Sequence, residues 1–140
     1  MIIQIEINLK PRARGFHLVT EEILSQILEI KKVRVGIVNI FLKHTSASLS
    51  INENADPTVR SDMEKYFNKS VPESDAKFYD HTLEGTDDMT SHIKSTIIGA
   101  SLNIPITNGK LNLGTWQGIY LCEHRNYASS RKIVVTLFGE

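Results

Sequence analysis

Three histidines stand near acidic or hydroxyl-bearing residues in a pattern that could support metal or acid–base chemistry. His44 follows a long apolar run, and His81 and His92 flank an acidic stretch that contains Glu84 and Asp88. Neutral imidazoles are the commonest metal ligands, and a nearby carboxylate can act as a ligand, orient the imidazole or carry a proton. On an ideal helix, Asp88 and His92 share one face at i, i+4. An ordinary capped helix with one interior histidine has the same pattern, so the spacing alone does not decide.

Residues 44–54 form a dense run of polar side chains that could bind a small molecule. After His44 come the candidate ligand-binding residues Thr45, Ser46 and Asn52 and the candidate catalytic residue Glu53. Hydroxyls and backbone N–H groups in such a segment can hold oxyanions. Two alternatives stay open. The segment could be a loop whose side chains satisfy its own backbone, or a strand with one wet face, because its serines alternate with apolar residues.

A third polar group begins at a Gly-Thr-Trp-Gln-Gly motif and ends with two arginines. Trp116 could stack on a flat ring or fill the core, and Gln117 is a further candidate for substrate binding. Arg125 and Arg131 could clamp a phosphate through paired hydrogen bonds, or one of them could pair with Glu123 instead.

The elements that must position these residues show both strand and helix periodicity. Residues 1–10 alternate apolar and polar side chains, and residues 33–43 form a long β-branched run, so both are predicted to be strands. Residues 16–19, 116–123 and 132–138 are also predicted strands. Asn108-Gly109 between two short strand patterns predicts a type I′ hairpin.

Three helices are predicted, over residues 20–30, from Asp56-Pro57 onward, and over residues 86–98. Strands and helices do not alternate regularly along the chain. We therefore predict an α+β fold with mostly antiparallel or mixed sheets and about three helices, rather than a doubly wound parallel sheet.

Length and charge limit the classes of protein that this chain can be. Its 140 residues predict one domain, residues 1–140, with a core of its own. Sixteen basic and sixteen acidic side chains cancel to a net charge of +0. The densest basic cluster, Arg125, Arg131 and Lys132, is too small for a nucleic-acid duplex and large enough for one phosphate group. We expect no nucleic-acid partner, and a small anionic ligand is possible.

The single cysteine and the hydropathy pattern indicate a cytoplasmic protein. Cys122 cannot form an internal disulfide and lies in an apolar stretch, as a buried thiol would. No apolar run approaches the length of a membrane span, and the first residues do not form a signal peptide. We therefore expect no membrane association.

Several motifs, in register along nearly the whole chain, resemble the YjbQ family of small proteins. They are His44-Thr45-Ser46-Ala47, Ile51-Asn52-Glu53-Asn54-Ala55-Asp56-Pro57, Glu84-Gly85-Thr86-Asp87-Asp88-Met89, Ser91-His92-Ile93-Lys94, Leu113-Gly114-Thr115-Trp116-Gln117-Gly118-Ile119 and Arg131-Lys132-Ile133-Val134-Val135-Thr136.

This resemblance implies a compact α+β protein with two packed sheets that assembles as a homotrimer. Some members are described as weak or secondary thiamine-phosphate synthases, which join a pyrimidine diphosphate to a thiazole phosphate and release pyrophosphate. The resemblance also favours the convergence of His44, His81 and His92, but it does not imply that a metal is bound there. A divalent metal at these histidines is a hypothesis from the chemistry of imidazole ligands. Zinc suits such a site better than magnesium, which prefers oxygen ligands.

The expected function is therefore that of an enzyme acting on a small phosphorylated metabolite. His44, Glu53 and Glu84 are the expected catalytic residues, and Glu84 or His44 would move a proton. Two other functions stay open. One is a metal-dependent phosphoesterase that uses water as its nucleophile, and the other is a non-catalytic trimer that binds a metal or a metabolite.

Overall fold

The computed structural model describes residues 1–140, apart from the side chain of Ala76. The described backbone forms eight strands and three α-helices. In chain order these are β1 (Ile2–Leu9), β2 (Gly15–Leu18), α1 (Thr20–Leu24), β3 (Val35–Leu42), β4 (Ala47–Glu53), α2 (Pro57–Ser70), α3 (Thr86–Ile98), β5 (Ser101–Thr107), β6 (Lys110–Leu111), β7 (Gln117–Glu123) and β8 (Arg131–Gly139). Short 3₁₀ helices lie at Leu28–Lys32 and Glu73–Phe78.

The strands form two antiparallel sheets, which confirms the predicted α+β class. The larger sheet has the order β1-β8-β3-β5-β6, and the smaller one has the order β2-β7-β4. Within the larger sheet, β8 pairs with both β1 and β3, so Ile2, Phe138 and Ile37 stand in one row. Within the smaller sheet, β4 pairs with β7 from Ala47 opposite Glu123 to Glu53 opposite Gln117.

A single apolar core lies between the two sheets. Its fully buried side chains come from the inner faces of both sheets, from α1 and from the 3₁₀ helix that follows α1. Burial of each such aliphatic side chain contributes about 1.5–3 kcal/mol to folding. Because the side chains of a strand alternate between faces, the same strands present a second face outward.

Helices α2 and α3 cover the outer face of the smaller sheet. Phe16, Phe67, Tyr120 and Cys122 form a small buried cluster beneath them. Cys122 is fully buried, as predicted, and burial raises the pKa of its thiol to about 12. This thiol is therefore protonated at neutral pH.

Two local predictions are confirmed and one is wrong in part. Asn108 and Gly109 both have positive φ (50° and 75°), as a type I′ turn requires. Asp56 accepts a hydrogen bond from the N–H of Thr58 and caps α2, with Pro57 in its first turn. The predicted helix over residues 20–30 ends at Leu24 and is followed by a 3₁₀ helix, an arrangement that still buries Ile23, Ile27 and Ile30.

Candidate functional site

His81, Asp88 and His92 bring their side-chain ligand atoms together within 4.8 Å of one another. The Nε2 atoms of His81 and His92 lie 2.6 Å and 3.2 Å from the same Asp88 oxygen, Oδ2. The two imidazole rings are 5.4 Å apart, centroid to centroid. Asp88 is buried, whereas the side chain of His81 is 49% exposed, so the cluster is open to solvent on one side.

The local structure of α3 explains this convergence. Asp88 and His92 lie one turn apart on the helix, as their i, i+4 spacing predicted. His81 lies before the helix and reaches Asp88 across a turn at Leu83 and Glu84 that leads into Gly85 (φ 104°, ψ 164°), the residue that precedes α3. This backbone conformation is essentially restricted to glycine.

The two contacts of His92 determine which of its ring nitrogens can bind a metal ion. Its Nδ1 lies 2.8 Å from the carbonyl oxygen of Thr45, which can only accept, so Nδ1 carries a proton. In neutral His92 the Nε2 lone pair would then face the Asp88 carboxylate, and two acceptors would meet without a proton between them. Either a second proton on His92 or a metal ion removes this conflict, so the residues fit a metal.

Arg125 orients the carboxylate at the centre of the cluster. Its guanidinium donates to Asp88 Oδ1, to Asp87 Oδ2 at 3.0 Å and to the carbonyl oxygen of Glu84 at 3.0 Å. The second oxygen of Asp88, Oδ2, is left facing the histidines. Burial opposes ionisation of Asp88, but the hydrogen bond from His81 and the charges of His92 and Arg125 outweigh it and lower the pKa of Asp88.

Arg131 is held in a second buried ion pair. It donates to both oxygens of Glu123, at 2.7 Å and 2.6 Å, and to the carbonyl oxygen of Ser46 at 3.2 Å. The sequence left open whether the arginines clamp phosphate or pair with a carboxylate. Both arginines are paired, Arg131 with Glu123 and Arg125 with Asp87 and Asp88.

His44 stands beside the cluster but is not a member of it, and the third position belongs to Asp88. An open groove lies between His44, Thr45 and the carboxyl-terminal half of α3, with His92 in its wall. His44 Nε2 accepts a hydrogen bond from the backbone N–H of Lys132 at 2.8 Å. Burial first, and then the charge of Arg131, lower the pKa of His44, so this imidazole is neutral at pH 7.

The remaining candidates lie at the other end of the smaller sheet. Six residue steps separate Ala47 from Glu53 along β4, a distance of about 20 Å. Glu53 accepts from the N–H of Asp56, and the side chain of Asn52 is exposed. Gln117 accepts from the N–H of Gly114 within a tight loop that leaves Trp116 65% exposed. The structure therefore does not bring Asn52, Glu53, Trp116 or Gln117 to the histidines within one chain.

Residues 47–53 form strand β4, as one alternative for the polar segment held, but the serine face of this strand is not wet, because Ser48 is fully buried. Thr45 and Ser46 precede it and contribute their carbonyl oxygens to His92 and Arg131. These main-chain roles carry no side-chain signal that sequence reasoning could detect. Glu84 is exposed next to the cluster, and its carbonyl oxygen accepts from Arg125.

A buried histidine was not singled out by the sequence. His124 is 1% exposed, and its Nε2 lies 2.8 Å from Ser48 Oγ. Burial, with the charges of Lys94 and Arg14 next in weight, lowers the pKa of His124 to about 3. His124 is therefore a neutral part of the packing beneath α3.

The protein is an α+β protein with two antiparallel sheets around one core and a His–Asp–His cluster at helix α3, which covers the smaller sheet. The chain belongs to the UPF0047 YjbQ-like family, whose model it matches over residues 4–140. It is 51% identical to UPF0047 protein YjbQ of Escherichia coli O157:H7 over 140 residues, 100% of both chains. It is 43% identical to UPF0047 protein MJ1081 of Methanocaldococcus jannaschii over 123 residues, 87% of this chain and 83% of the relative.

Solved structures show the same fold. A YbjQ-like protein of unknown function from Sulfolobus solfataricus P2 is similar with a TM-score of 0.87 and 27% identity, covering 100% of this chain and 99% of that chain. An uncharacterized conserved protein of this family from Clostridium acetobutylicum has a TM-score of 0.81 and 36% identity, covering 96% and 99%. The names of these relatives state a family and no activity.

No helix among the described residues is both long and apolar enough to span a membrane.

Proposed function

We propose that this protein is a metal-dependent enzyme that acts on a small phosphorylated molecule. The observation that carries the proposal is the cluster of His81, Asp88 and His92, whose ligand atoms converge on one point and are open to solvent on one side. Two imidazoles and one carboxylate are a ligand set of catalytic zinc sites, which keep a further coordination position for water or substrate.

Zinc is the metal we propose, with His81, Asp88 and His92 as its protein ligands. When bound, zinc would supply Lewis acidity towards a phosphoryl oxygen or lower the pKa of a water molecule. Ligand atoms around tetrahedral zinc are about 3.3 Å apart, so the 2.6 Å contact between His81 and Asp88 must open slightly. His81 precedes the helix and is half exposed, which makes it the ligand best able to move.

Thiamine-phosphate synthase is the specific activity that the family resemblance brings to this site. In that reaction the chain must hold a pyrimidine diphosphate and assist the departure of pyrophosphate. Glu84, exposed beside the cluster, would be the group that gives or takes a proton during the reaction. Arg125 and Arg131 are already paired with carboxylates, so they would act by orienting other residues rather than by binding pyrophosphate directly.

Hydrolysis of a phosphate ester is a second candidate function, and the open side of the cluster favours it. With three protein ligands, the remaining position faces solvent, where water is available as the nucleophile. A protein that only binds a metal or a metabolite is the third possibility, and it would show binding without turnover.

The test combines metal analysis with a substrate screen. We expect the purified protein to contain zinc, and Asp88→Ala and His92→Ala to lose at least about 100-fold in zinc affinity while their thermal unfolding stays cooperative. His17→Ala is the matched control, because His17 contacts the carbonyl oxygen of Ala13 and not the cluster. Phosphate esters and the thiamine precursors would then be assayed with and without a chelator.

The outcomes separate the candidates. Chelator-sensitive release of pyrophosphate from the thiamine precursors identifies the synthase, and chelator-sensitive release of phosphate from esters identifies the hydrolase. Zinc binding without turnover of any of these compounds identifies a binding protein. If neither zinc nor another divalent metal binds, the proposal is wrong.

We also propose that the protein is a homotrimer, as the family resemblance implies. The outward face of the larger sheet supports self-association, because Ile2, Phe138 and Ile37 lie in one row and are 69%, 59% and 49% exposed. Contiguous exposed apolar surface of this kind is typical of an interface. A cytoplasmic location is proposed as well, and a single, fully buried cysteine that needs no oxidising compartment is compatible with it.

A further inference from the structure

The groove between His44 and α3 is next to the metal cluster but is built from different groups. His92 is common to both, with Nε2 directed to Asp88 and the ring in the wall of the groove. His44 and Thr45 form one side of the groove, and Ser95 and Thr96 of α3 form the other. A ligand that fills this groove therefore lies alongside the cluster.

The hydrogen bond to His44 determines which of its nitrogens can serve a ligand. Nε2 accepts the N–H of Lys132, so it has no proton, and the proton of the neutral ring is on Nδ1. The low pKa of His44, caused by burial and then by Arg131, keeps the ring neutral. His44 is therefore a fixed hydrogen-bond donor through Nδ1 and has no free lone pair for a metal.

The charges around His44 favour an anion. Arg131, Lys132 and Lys43 all act on this ring, and they disfavour a positive charge there. Two carboxylates partly offset these charges, since Arg131 pairs with Glu123 and the exposed Lys43 and Lys132 both lie near Glu6. Although burial is the main cause of the lowered pKa of His44, the field of these cations also favours a negatively charged group at its Nδ1–H.

The hydroxyls of the groove further restrict which ligands fit it. Ser95 donates its proton to the carbonyl oxygen of Ala47, and Thr96 donates to that of His92. Both oxygens are left with lone pairs only. Thr45 is exposed in the wall of the groove, so its hydroxyl can donate to a ligand beside His44. One side of the groove thus donates hydrogen bonds and the other side accepts them.

We propose that this groove is the phosphate subsite of the enzyme, with His44 Nδ1–H and the Thr45 hydroxyl donating to phosphate oxygens. The acceptors on α3 suit an amino or hydroxyl group carried by the same ligand, so the ligand class is a small phosphate ester with such a group. The inference deepens the proposed function and rests on it for the reaction, but phosphate binding is measured separately from metal binding and turnover.

The test is calorimetry. Inorganic phosphate or phosphoethanolamine is titrated into the protein, once in the presence of zinc and once in its absence. His44→Ala should weaken binding of both probes by about tenfold or more, the usual effect of removing a hydrogen bond to a charged group. Zinc affinity should change less than about twofold, because His44 is not one of the ligands.

Two substitutions distinguish a donor at Nδ1 from a merely structural ring. His44→Asn places an amide N–H near the Nδ1 position and should keep most of the phosphate affinity. His44→Gln places its amide near Nε2, where an acceptor is needed, and should bind phosphate as poorly as His44→Ala. His17→Ala is again the control and should match the wild type.

Each outcome decides the proposal. Wild-type protein that does not bind either probe at millimolar concentration, or His44→Ala protein that binds them as the wild type does, overturns the phosphate subsite even if zinc binds. Phosphate binding that depends on His44 while no metal binds leaves the subsite standing and overturns the metal-dependent function. Ring ¹⁵N shifts that place the His44 proton on Nε2 contradict the assigned tautomer.

Discussion

Asp88 holds a buried negative charge between two imidazoles and one guanidinium. Its Oδ1 is occupied by Arg125 and its Oδ2 faces the histidines, so Arg125 determines the direction of the carboxylate. A carboxylate held in this way has one oxygen available for a cation. Such outer partners commonly tune metal affinity as strongly as a ligand's own geometry does.

Replacement of Arg125 should therefore weaken metal binding. Arg125→Gln should reduce zinc affinity by about 10- to 100-fold, because Asp88 loses the donor that orients it. Arg125→Lys should restore only part of the affinity, since an ammonium cannot span Asp87 and Asp88 as a planar fork does. Competition with a chromophoric chelator measures both values.

Arg12→Gln is the control for this comparison, because Arg12 pairs with Glu22 in a different part of the chain. Unchanged zinc affinity in Arg125→Gln would show that Asp88 is oriented by other contacts.

His124 predicts a defined pH dependence of stability. Its pKa in the folded protein is about 3, below the ordinary value of 6.5, so between these values the unfolded chain binds a proton that the folded chain does not. Stability should fall as the pH decreases through this window, by up to about 1.4 kcal/mol per pH unit. His124→Asn should flatten the slope of unfolding free energy between pH 6.5 and 4.5.

Denaturant titrations at a series of pH values measure this slope. His17→Asn should leave the wild-type slope in place, whereas a His124→Asn protein with that same slope would assign the acid sensitivity to other groups.

The positions of some site residues could be predicted from the sequence. The i, i+4 relation of Asp88 and His92 could be predicted because helix geometry is local. The approach of His81 could not, because it depends on the turn before Gly85. Pairing with Glu123 was one of the alternatives, but the sequence did not show that Arg131 makes it or that the pair is buried. The two ends of β4 were expected to form one site because the sequence shows which residues are polar, not how far a strand separates them.

Helix α3 is the element that assembles the cluster, and it has glycine at both boundaries. Gly85 and Gly99 have nearly equal backbone angles, with φ of 104° and 107°. Their surroundings differ. A Cβ on Gly85 would lie 3.0 Å from Asp87 Oδ1, whereas a Cβ on Gly99 would meet nothing within 4 Å.

Alanine substitutions at these two glycines should distinguish the effect of backbone strain on stability from the effect of the turn before α3 on zinc affinity. Both Gly85→Ala and Gly99→Ala should destabilise the fold by about 1–3 kcal/mol, because alanine is strained at this backbone conformation. Only Gly85→Ala should also weaken zinc binding, since it disturbs the turn that brings His81 to Asp88. Thermal unfolding and zinc titration of the two variants test the difference, and equal zinc affinities would contradict it.

The strands were easier to predict than the first helix for a physical reason. Alternation in β1 and the Asn108-Gly109 turn are signals contained within a few residues. Helical spacing of apolar residues from Ile23 to Ile30 requires only that these side chains reach the core. A short helix followed by a 3₁₀ turn satisfies that requirement as well as one continuous helix does.

In the whole molecule, the outward face of the larger sheet exposes apolar side chains that nothing covers in a single copy of the chain. If this face joins the subunits of a trimer, Phe138→Lys should shift the protein to a monomer, because three lysines would be buried at the contacts. Lys69→Glu, at an exposed position on α2, which packs on the smaller sheet, should leave the assembly intact. Light scattering after gel filtration measures both masses.

A wild-type mass of one chain would show that the trimer proposal is wrong. A trimer that survives Phe138→Lys would place the contacts on another surface.

The central position of β8 affects how the chain folds during synthesis. Strands β1 and β3 are not neighbours, and each finds its partner in β8, which spans residues 131–139. The larger sheet therefore cannot close while the ribosome still holds those residues, and β1 has no partner strand in this sheet until they emerge. Strand pairings between segments so distant in sequence form slowly. Apolar strands that are still unpaired can aggregate during that time. Deletion of residues 131–139 should leave a chain that depends on chaperones rather than a smaller folded domain.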